Sequence, residues 1–416
     1  MTRALVVIDG EHYPPVVSDA LAALPYEVAG AWLAGGDEKL RGGAGYGVPL
    51  YHDLGEALAA CEPELVFDLS DEPVLGPRER FLVASRVLAA GIPYAGADFR
   101  FDPPPLAPFP LPSLGIVGTG KRVGKTAVAG HAARLLARDR EVVLVAMGRG
   151  GPPEPEVAEA PPSSAELLAL SRAGAHAASD YLEDAAFAGV VTVGCRRAGG
   201  GLAGATAFSN VHAGAEEALA RSPDLVIFEG SGSALPPVQT SRRVLVAPAG
   251  SDVTGYLNAY RLLISDLLVL TMAEHGADTA AIRELRPDIP IVPVVLRPRP
   301  VEPVAGRSVA LFSTAPAEAH PVLAAHLRDV HGAAAVTVSG NLARRAELRG
   351  DLDRADAEVW LVELKAAAID VVAETAAERG VPLVLVDNEV LPLPGGPDLD
   401  GELVALAQAA REEVAV

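Results

Sequence analysis

The 416-residue sequence contains only two cysteines, Cys61 and Cys195, and neither belongs to a CxxC motif. This scarcity argues against a disulfide framework and against a cysteine-based zinc site. Every apolar run is shorter than the stretch of about 18 residues that is needed to span a bilayer. The first twenty residues lack the pattern of a signal peptide. We therefore expect a cytoplasmic protein without a membrane partner.

Positive charge is also scarce, with 34 Lys and Arg against 54 Asp and Glu, for a formal net charge of -20. Nucleic-acid-binding proteins present a basic face, so no nucleic-acid partner is expected. An anionic substrate would need a local cluster of cations to overcome this field. Only four of the basic residues are lysines: Lys39, Lys121, Lys125 and Lys365. A compositional preference for arginine accounts for this, and it leaves lysine enriched where a compact ammonium is required.

Short runs of Val, Leu and Ile alternate with helical patterns along the whole chain. Near-continuous apolar runs are typical of parallel strands that are covered on both faces, so the pattern predicts an α/β fold of parallel sheets. The predicted strands are 4–10, 65–70, 114–120, 142–148, 190–195, 225–230, 243–249, 267–272, 308–313, 334–340, 359–364 and 382–388.

Proline-rich segments divide the chain. The segment 102–112 has six prolines in eleven residues, which predicts an extended, semi-rigid linker. A second and less sharply defined domain boundary is predicted in the proline-rich run 296–306. The predicted parts are an N-terminal Rossmann-like α/β domain at 1–101, the linker at 102–112, a nucleotide-binding domain at 113–300 and a C-terminal α/β segment at 301–416. The alternative is that 113–416 forms one continuous sheet.

The stretch 117–128, VGTGKRVGKTAV, has the order strand, glycine-bearing turn, Gly-Lys-Thr and helix that a phosphate-binding loop (P-loop) requires. Helix N-terminal N–H groups point at the phosphates, Lys125 reaches the β and γ oxygens of ATP, and the Thr126 hydroxyl takes Mg²⁺. The alternative is a chance glycine-rich turn. The predicted nucleotide-binding residues are Gly118, Thr119, Gly120, Lys121, Arg122, Val123, Gly124, Lys125 and Thr126.

Two further strand ends carry residues that suit a nucleotide site. Glu229 ends the strand 225–230, where a P-loop fold places the carboxylate that organises Mg²⁺. The alternative is an ordinary strand-end glutamate, with Glu154 or Glu156 ordering the metal. Arg149 follows the strand 142–148 in a glycine-rich turn and is predicted to face the same sheet edge, where ligands bind.

Additional cations follow two other strands. Arg196 and Arg197 precede three glycines, a pattern that favours phosphate binding, with solvent-facing arginines as the alternative. Lys365 follows the strand 359–364, either as a substrate-binding residue or as a lysine paired with Glu363.

Acidic residues cluster in the segment AGAHAASDYLEDAAF. His176, Asp180, Glu183 and Asp184 fall on a helical pattern, with Asp180 and Asp184 on one face. This cluster could order a metal or a substrate group. We expect a solvated acidic face instead.

The loop itself resembles that of the dethiobiotin synthetase group of P-loop ATPases, G-T-x-T-x-V-G-K-T, with Lys121 in place of the middle threonine. Over nearly its whole length the chain resembles cyclic 2,3-diphosphoglycerate synthetase. The motifs that carry this resemblance are GTGKRVGKTAV, AMGRGGPPEPE, HAASDYLEDA, GCRRAGGG, EGSGSALPPV, LRPRPVEPVAGRSVALFSTAP, VELKAAAIDVV and VDNEV.

The resemblance implies an enzyme that uses ATP and Mg²⁺ to close 2,3-diphosphoglycerate into its cyclic phosphoanhydride, releasing ADP and phosphate. It also implies a homodimer and an N-terminal domain that contributes to substrate handling. Lys125, Lys121 and Arg149 are then the catalytic candidates, and Arg149, Arg196, Arg197 and Lys365 the substrate-binding candidates. The metal ligands would be Thr126 and Glu229. The alternatives are a dethiobiotin- or cobyrinate-type ligase acting on a carboxylate, and a partitioning-type nucleotide switch.

Overall fold

The structure, a computed structural model, describes residues 1–36 and 46–414. Within these residues the chain forms two compact units. The first contains Met1–Pro105, Asp252–Ile264 and Thr279–Pro287, and the second contains Leu106–Ser251, Ser265–Asp278 and Asp288–Val416. Nowhere in the described ranges does a helix combine the length and apolarity needed to cross a membrane.

The first unit is an α/β layer with a mostly parallel sheet, as its Val-rich strands predicted. Its strands are β1 (Arg3–Ile8), β2 (Glu27–Leu33), β3 (Leu50–Tyr51), β4 (Leu65–Asp68), β5 (Tyr94–Ala95) and β6 (Arg100–Phe101). Its first helices are α1 (Pro14–Ala23), α2 (Leu54–Cys61) and α3 (Pro77–Ala89). The strand order is β3-β2-β1-β4-β5-β6, so the connections that leave β1 and β4 diverge to opposite sides.

Strand β1 is the centre of this sheet because its residues from Ala4 to Ile8 are all buried. Val6 and Ile8 pack with Val17 and Leu21 of α1 in one apolar cluster. Strands β5 and β6 pair antiparallel at the edge of the sheet. The carboxyl ends of β1 and β4 lie side by side, because these two strands pair in parallel.

The second unit contains the remaining strands. They are β7 (Ala107–Pro108), β8 (Ser113–Gly118), β9 (Val142–Gly148), β10 (Glu156–Ala158), β11 (Val191–Ala198), β12 (Phe208–Ser209), β13 (Leu225–Glu229), β14 (Val238–Gln239), β15 (Arg242–Pro248), β16 (Leu267–Thr271), β17 (Ile291–Pro300), β18 (Ser308–Phe312), β19 (Ala335–Ser339), β20 (Val359–Glu363) and β21 (Leu383–Pro392).

The helices of the remaining chain divide between the two units. They are α4 (Lys125–Leu136), α5 (Ser164–Arg172), α6 (Asp180–Ala188), α7 (Val211–Ala220), α8 (Asn258–Leu263), α9 (Ala280–Leu285), α10 (His320–Asp329), α11 (Arg345–Arg354), α12 (Glu374–Arg379) and α13 (Leu399–Val414). Helices α8 and α9 belong to the first unit. A π-helix at Ala368–Ala373 runs directly into α12.

One large sheet organises the second unit, with the order β10-β11-β9-β13-β8-β15-β16-β17-β21-β20-β18-β19. Its strands are mostly parallel, as predicted. Strand β11 pairs antiparallel with the short strands β10 and β12. The long strands β17 and β21 also pair antiparallel, from Val294 with Pro392 to Pro300 with Val386. Strands on both sides of residue 300 therefore share one sheet, as in the alternative interpretation that 113–416 forms one continuous sheet. The functional division at that residue stays a prediction.

The sheet buries the apolar face of α4. Val128, Ala132 and Leu136 are fully buried and pack in one cluster with Leu114 and Ile116 of β8. The small alanine side chains let the helix backbone approach the strands closely. This packing fixes the N-terminus of α4 directly beyond the carboxyl end of β8.

Candidate nucleotide-binding site

The segment 118–126 connects β8 to α4 in the conformation that its glycines predicted. A Cβ atom on Gly118 would lie 2.8 Å from Cδ of Lys125, so only glycine leaves room for the lysine stem. Gly124 has a φ of 89°, in the left-handed region that favours glycine. Helix α4 then begins without a side-chain cap, which leaves its first N–H groups available to an anion.

Lys125 and Thr126 point into the turn. The Lys125 Nζ atom donates to the carbonyl oxygen of Gly120 at 3.0 Å. Burial lowers the pKa of Lys125, while Glu229 acts in the opposite direction, so the ammonium lies within electrostatic range of that carboxylate. The Thr126 hydroxyl donates to Oε1 of Glu229 at 2.9 Å, which joins the helix to the end of β13.

Glu229 faces a second buried carboxylate, Asp184 of α6. Glu229 is 3% exposed and Asp184 is 1% exposed. Among the described residues, Oε2 of Glu229 and both carboxylate oxygens of Asp184 accept no hydrogen bond from the backbone or from another kind of side chain. The two carboxyl groups can hydrogen-bond to each other only when they share a proton. Burial raises the pKa of Asp184 well above its ordinary value, and Glu229 raises it further. Two desolvated carboxyl groups with unused lone pairs therefore lie beside Thr126.

The expectation of a solvated acidic face on α6 is wrong. Glu183 and Asp184 are buried, and Asp180 approaches Gly148 at the end of β9, where a Cβ atom would lie 3.1 Å from its Oδ2. Asp180, Glu183, Asp184 and Phe187 follow the i, i+3, i+4, i+7 spacing of one helix face. The apolar Phe187 on that stripe is the sequence signal that this face turns inward.

Arg149 and Arg197 converge on the turn after Glu229. A Cβ atom on Gly232, whose φ is 61°, would lie 2.8 Å from Nη2 of Arg149 and 3.2 Å from Nη2 of Arg197. Arg197 is buried and donates from Nη1 to the Gly199 carbonyl at 2.6 Å and from Nη2 to the Ser231 carbonyl at 2.7 Å. Burial lowers the pKa of Arg197, and the neighbouring positive charge of Arg149 lowers it further.

Arg196 does not join this pair. Its guanidinium carbon lies 5.7 Å from the centroid of the Phe208 ring, and its backbone N–H donates to Oδ1 of Asn210. Successive residues of a strand point to opposite faces, so the adjacency of Arg196 and Arg197 in β11 was itself a signal that they separate. Neither arginine is a freely solvated side chain on a flexible turn.

Lys365 reaches the acidic face of α6. Its Nζ atom lies 3.1 Å from Oε1 of Glu183, and the lysine side chain is 36% exposed. The alternative pairing with Glu363 is not the ion pair that forms, because Glu363 instead accepts hydrogen bonds from Ser313 and Thr314. Burial raises the pKa of Glu183 to about 8, although Lys365 acts to lower it.

One further loop residue, Val123, is held in place by a neighbouring strand. The Thr271 hydroxyl at the end of β16 donates to the Val123 carbonyl at 2.8 Å, a contact that sequence reasoning missed. Its signal is a lone threonine at the end of an apolar run. Lys121 and Arg122 are exposed, and Arg122 has a φ of 61°. Lys39, the remaining lysine, lies outside the described residues.

Family models match the chain in three consecutive blocks. They are the N-terminal domain of cyclic 2,3-diphosphoglycerate synthetase at residues 3–102, its P-loop domain at 113–293 and its C-terminal domain at 300–389. The chain belongs to the cyclic 2,3-diphosphoglycerate synthetase family. This membership favours the synthetase interpretation over a carboxylate ligase or a partitioning switch.

Relatives that carry the name cyclic 2,3-diphosphoglycerate synthetase align over nearly the whole chain. The protein from Rubrobacter xylanophilus is 50% identical, covering 98% of each chain. That from Thermococcus onnurineus is 41% identical, covering 97% of this chain and 98% of its own. The Methanothermus fervidus protein is 38% identical, covering 93% of this chain and 92% of its own.

Among solved structures, LpxK from Aquifex aeolicus, determined in complex with ATP, is 14% identical with a TM-score of 0.41. It covers 72% of this chain and 90% of its own. The synthetase family, rather than this distant likeness, identifies the loop 118–126 as the P-loop of an ATP-using enzyme.

Proposed function

We propose that the protein is an ATP-dependent synthetase that closes 2,3-diphosphoglycerate into its cyclic intramolecular phosphoanhydride. The observation that carries this proposal is the match of three synthetase domains along one chain whose P-loop is built around Lys125 and Thr126. The family resemblance further implies a homodimer, and the formal net charge of -20 disfavours a nucleic-acid partner. A cytoplasmic location is part of the same proposal. Light scattering of the purified protein tests the dimer.

The residues beside the P-loop fit a magnesium ion. Thr126 and Glu229 would hold Mg²⁺, a hard cation that prefers oxygen ligands. The unused oxygens of Glu229 and Asp184 support this assignment, because buried carboxylates without partners favour a nearby cation. When bound, Mg²⁺ would neutralise charge on the β- and γ-phosphates of ATP.

The cations of the site suit a substrate with two phosphates. Two unit charges about 4 Å apart repel by about 4 kcal/mol at an effective dielectric constant near 20, and multiply charged phosphates repel more. Arg149, Arg197 and Lys365 would offset this repulsion and hold the phosphates at reacting distance.

The reaction then has two displacements. One phosphate of the substrate attacks the γ-phosphorus of ATP, and ADP leaves. The neighbouring phosphate next attacks the substrate phosphorus of the new phosphoanhydride, the ring closes, and inorganic phosphate leaves. Lys125 and Lys121 would stabilise charge in the first displacement, and no general base is needed because the phosphates are already ionised near pH 7.

Substrate-stimulated hydrolysis tests this function. We expect ATP turnover to rise with 2,3-diphosphoglycerate, and ³¹P NMR to show one cyclic phosphoanhydride formed for each ADP. Stimulation by a carboxylate substrate instead would favour the ligase. Stimulation only by membrane, DNA or a protein partner would favour the nucleotide switch.

A further inference from the structure

A second cluster of metal-binding groups lies in the first unit, at the carboxyl edge of its sheet. Asp9 follows β1, and Asp71 lies three residues beyond the end of β4. The connections that follow these neighbouring strands run to opposite sides of the sheet. In a parallel sheet, ligands typically bind in the crevice that forms at such a position. The sheet therefore brings two carboxylates together at a position suited to a ligand.

His12 completes the cluster. Its Nδ1 atom lies 3.1 Å from Oδ1 of Asp9, and its Nε2 atom lies 3.4 Å from Oδ2 of Asp71. One ligand atom from each of the three residues can be chosen so that all lie within 4.8 Å of one another. The backbone N–H groups of Glu11 and Asp71 donate to the two oxygens of Asp9, which fixes that carboxylate. Oδ2 keeps a further lone pair, whereas Oδ1 also pairs with Nδ1 of His12, a hydrogen bond that a bound metal ion would replace.

The three side chains of the cluster differ in their exposure to solvent. The Asp9 side chain is fully buried, whereas the side chains of His12 and Asp71 are 38% and 72% exposed. A metal ion could reach the cluster from solvent past the exposed side chains of His12 and Asp71, and the buried carboxylate of Asp9 would hold it in place. The arrangement therefore offers both a rigid ligand and an open approach.

A buried tyrosine in the same unit carries a hydroxyl group without a partner among the described residues. Tyr46 is 2% exposed, and within the part of the chain that the structure describes its hydroxyl has no hydrogen-bond partner. Burial raises the pKa of Tyr46, and the negative charge of Asp9 raises it further, so the hydroxyl lies within electrostatic range of that carboxylate. Buried tyrosine hydroxyls usually find a partner, and a ligand oxygen at the cluster would supply one.

We propose that Asp9, His12 and Asp71 bind a divalent transition-metal ion at the carboxyl edge of the first sheet. One imidazole nitrogen and two carboxylate oxygens suit Mn²⁺ or Zn²⁺ better than Mg²⁺ or Ca²⁺, which favour oxygen alone. Three protein ligands leave at least one coordination position open to water or to a ligand oxygen. None of these three residues is among the proposed magnesium ligands, Thr126 and Glu229.

Binding of Mn²⁺ to the full-length, nucleotide-free protein tests the proposal. Electron paramagnetic resonance measures the affinity, and electron spin echo modulation detects a ¹⁴N nucleus when histidine is a ligand. We expect a ¹⁴N-coupled Mn²⁺ site in the wild type and in Thr126→Ala. We expect its loss in His12→Asn and an affinity at least tenfold weaker in Asp71→Asn.

Matched variants provide the controls. His52→Asn and Asp98→Asn change exposed residues of the same unit and should leave Mn²⁺ binding unchanged. Circular dichroism checks that each variant folds. If His12→Asn does not fold, Asp71→Asn still tests the proposal, because the Asp71 side chain is mostly exposed. A wild-type protein without ¹⁴N coupling, or a coupling that survives in His12→Asn, would overturn the proposal. So would an unchanged affinity in Asp71→Asn.

Discussion

Replacing Glu229 with glutamine should separate stability from activity. The Glu229 and Asp184 carboxyl groups are both buried and carry oxygens without partners among the described residues. Glutamine keeps the oxygen that accepts from the Thr126 hydroxyl, and its amide can donate to Asp184. The substitution therefore replaces a contact between two acidic groups with a hydrogen bond, while it removes a proposed ligand of Mg²⁺.

The size of the effect follows from the charges. Two unit charges about 4 Å apart repel by about 4 kcal/mol at an effective dielectric constant near 20, which is an upper limit when the pair shares a proton. We expect a net stabilisation of about 1–2 kcal/mol, which corresponds to a thermal midpoint higher by about 2–4 °C. ATP turnover should fall at least about 100-fold, equivalent to about 2.7 kcal/mol in the barrier.

Two measurements check this prediction. Calorimetry without metal and nucleotide gives the thermal midpoint, and turnover under a Mg²⁺ titration gives the metal dependence. Glu154→Gln alters an exposed carboxylate and should change neither. Asp184→Asn should also stabilise the metal-free protein, and the double variant with Glu229→Gln should gain less than the sum. A lower midpoint in Glu229→Gln, or an unchanged Mg²⁺ titration, would refute the reasoning.

Three further predictions concern single side chains. Lys125→Ala should abolish ATP turnover without unfolding the protein, and turnover within tenfold of wild type with normal ATP binding would contradict the P-loop assignment. Lys121→Arg and Lys365→Arg should each lose about tenfold in kcat/KM, about 1.4 kcal/mol, because a planar guanidinium does not reproduce the phosphate contact of a compact ammonium, whereas Lys39→Arg should be neutral. If all three variants had the same kcat/KM as the wild type, neither Lys121 nor Lys365 would be assigned to the phosphate-binding site. In metal-free buffer His12→Asn should be less stable than wild type below pH 6.5, because the hydrogen bond to Asp9 raises the pKa of His12 above 6.5. That difference should disappear as the pH rises through the raised pKa, and a difference that is constant with pH would contradict this origin.

The sequence alone determined the features that depend on local pattern. Unbroken apolar runs predicted the parallel strands, since a strand covered on both faces has no polar side. The order of strand, glycines, Gly-Lys-Thr and helix predicted the P-loop, because the close approach of Lys125 to Gly118 requires residues at fixed spacing. The family followed from motifs spread along the whole chain.

Tertiary structure decided which side chains meet. Helix α6 appeared acidic and solvated, yet its Glu183 and Asp184 are buried, because a helix pattern does not tell which elements cover each face. The ion pair of Lys365 with Glu183 joins residues 182 positions apart in the chain, so no local spacing could predict it. The antiparallel pairing of β17 with β21 depends likewise on long-range contacts. Local sequence specifies the strands and the loop, whereas the partner of each charge is set by the packing of distant elements, where desolvation makes an unpaired charge costly.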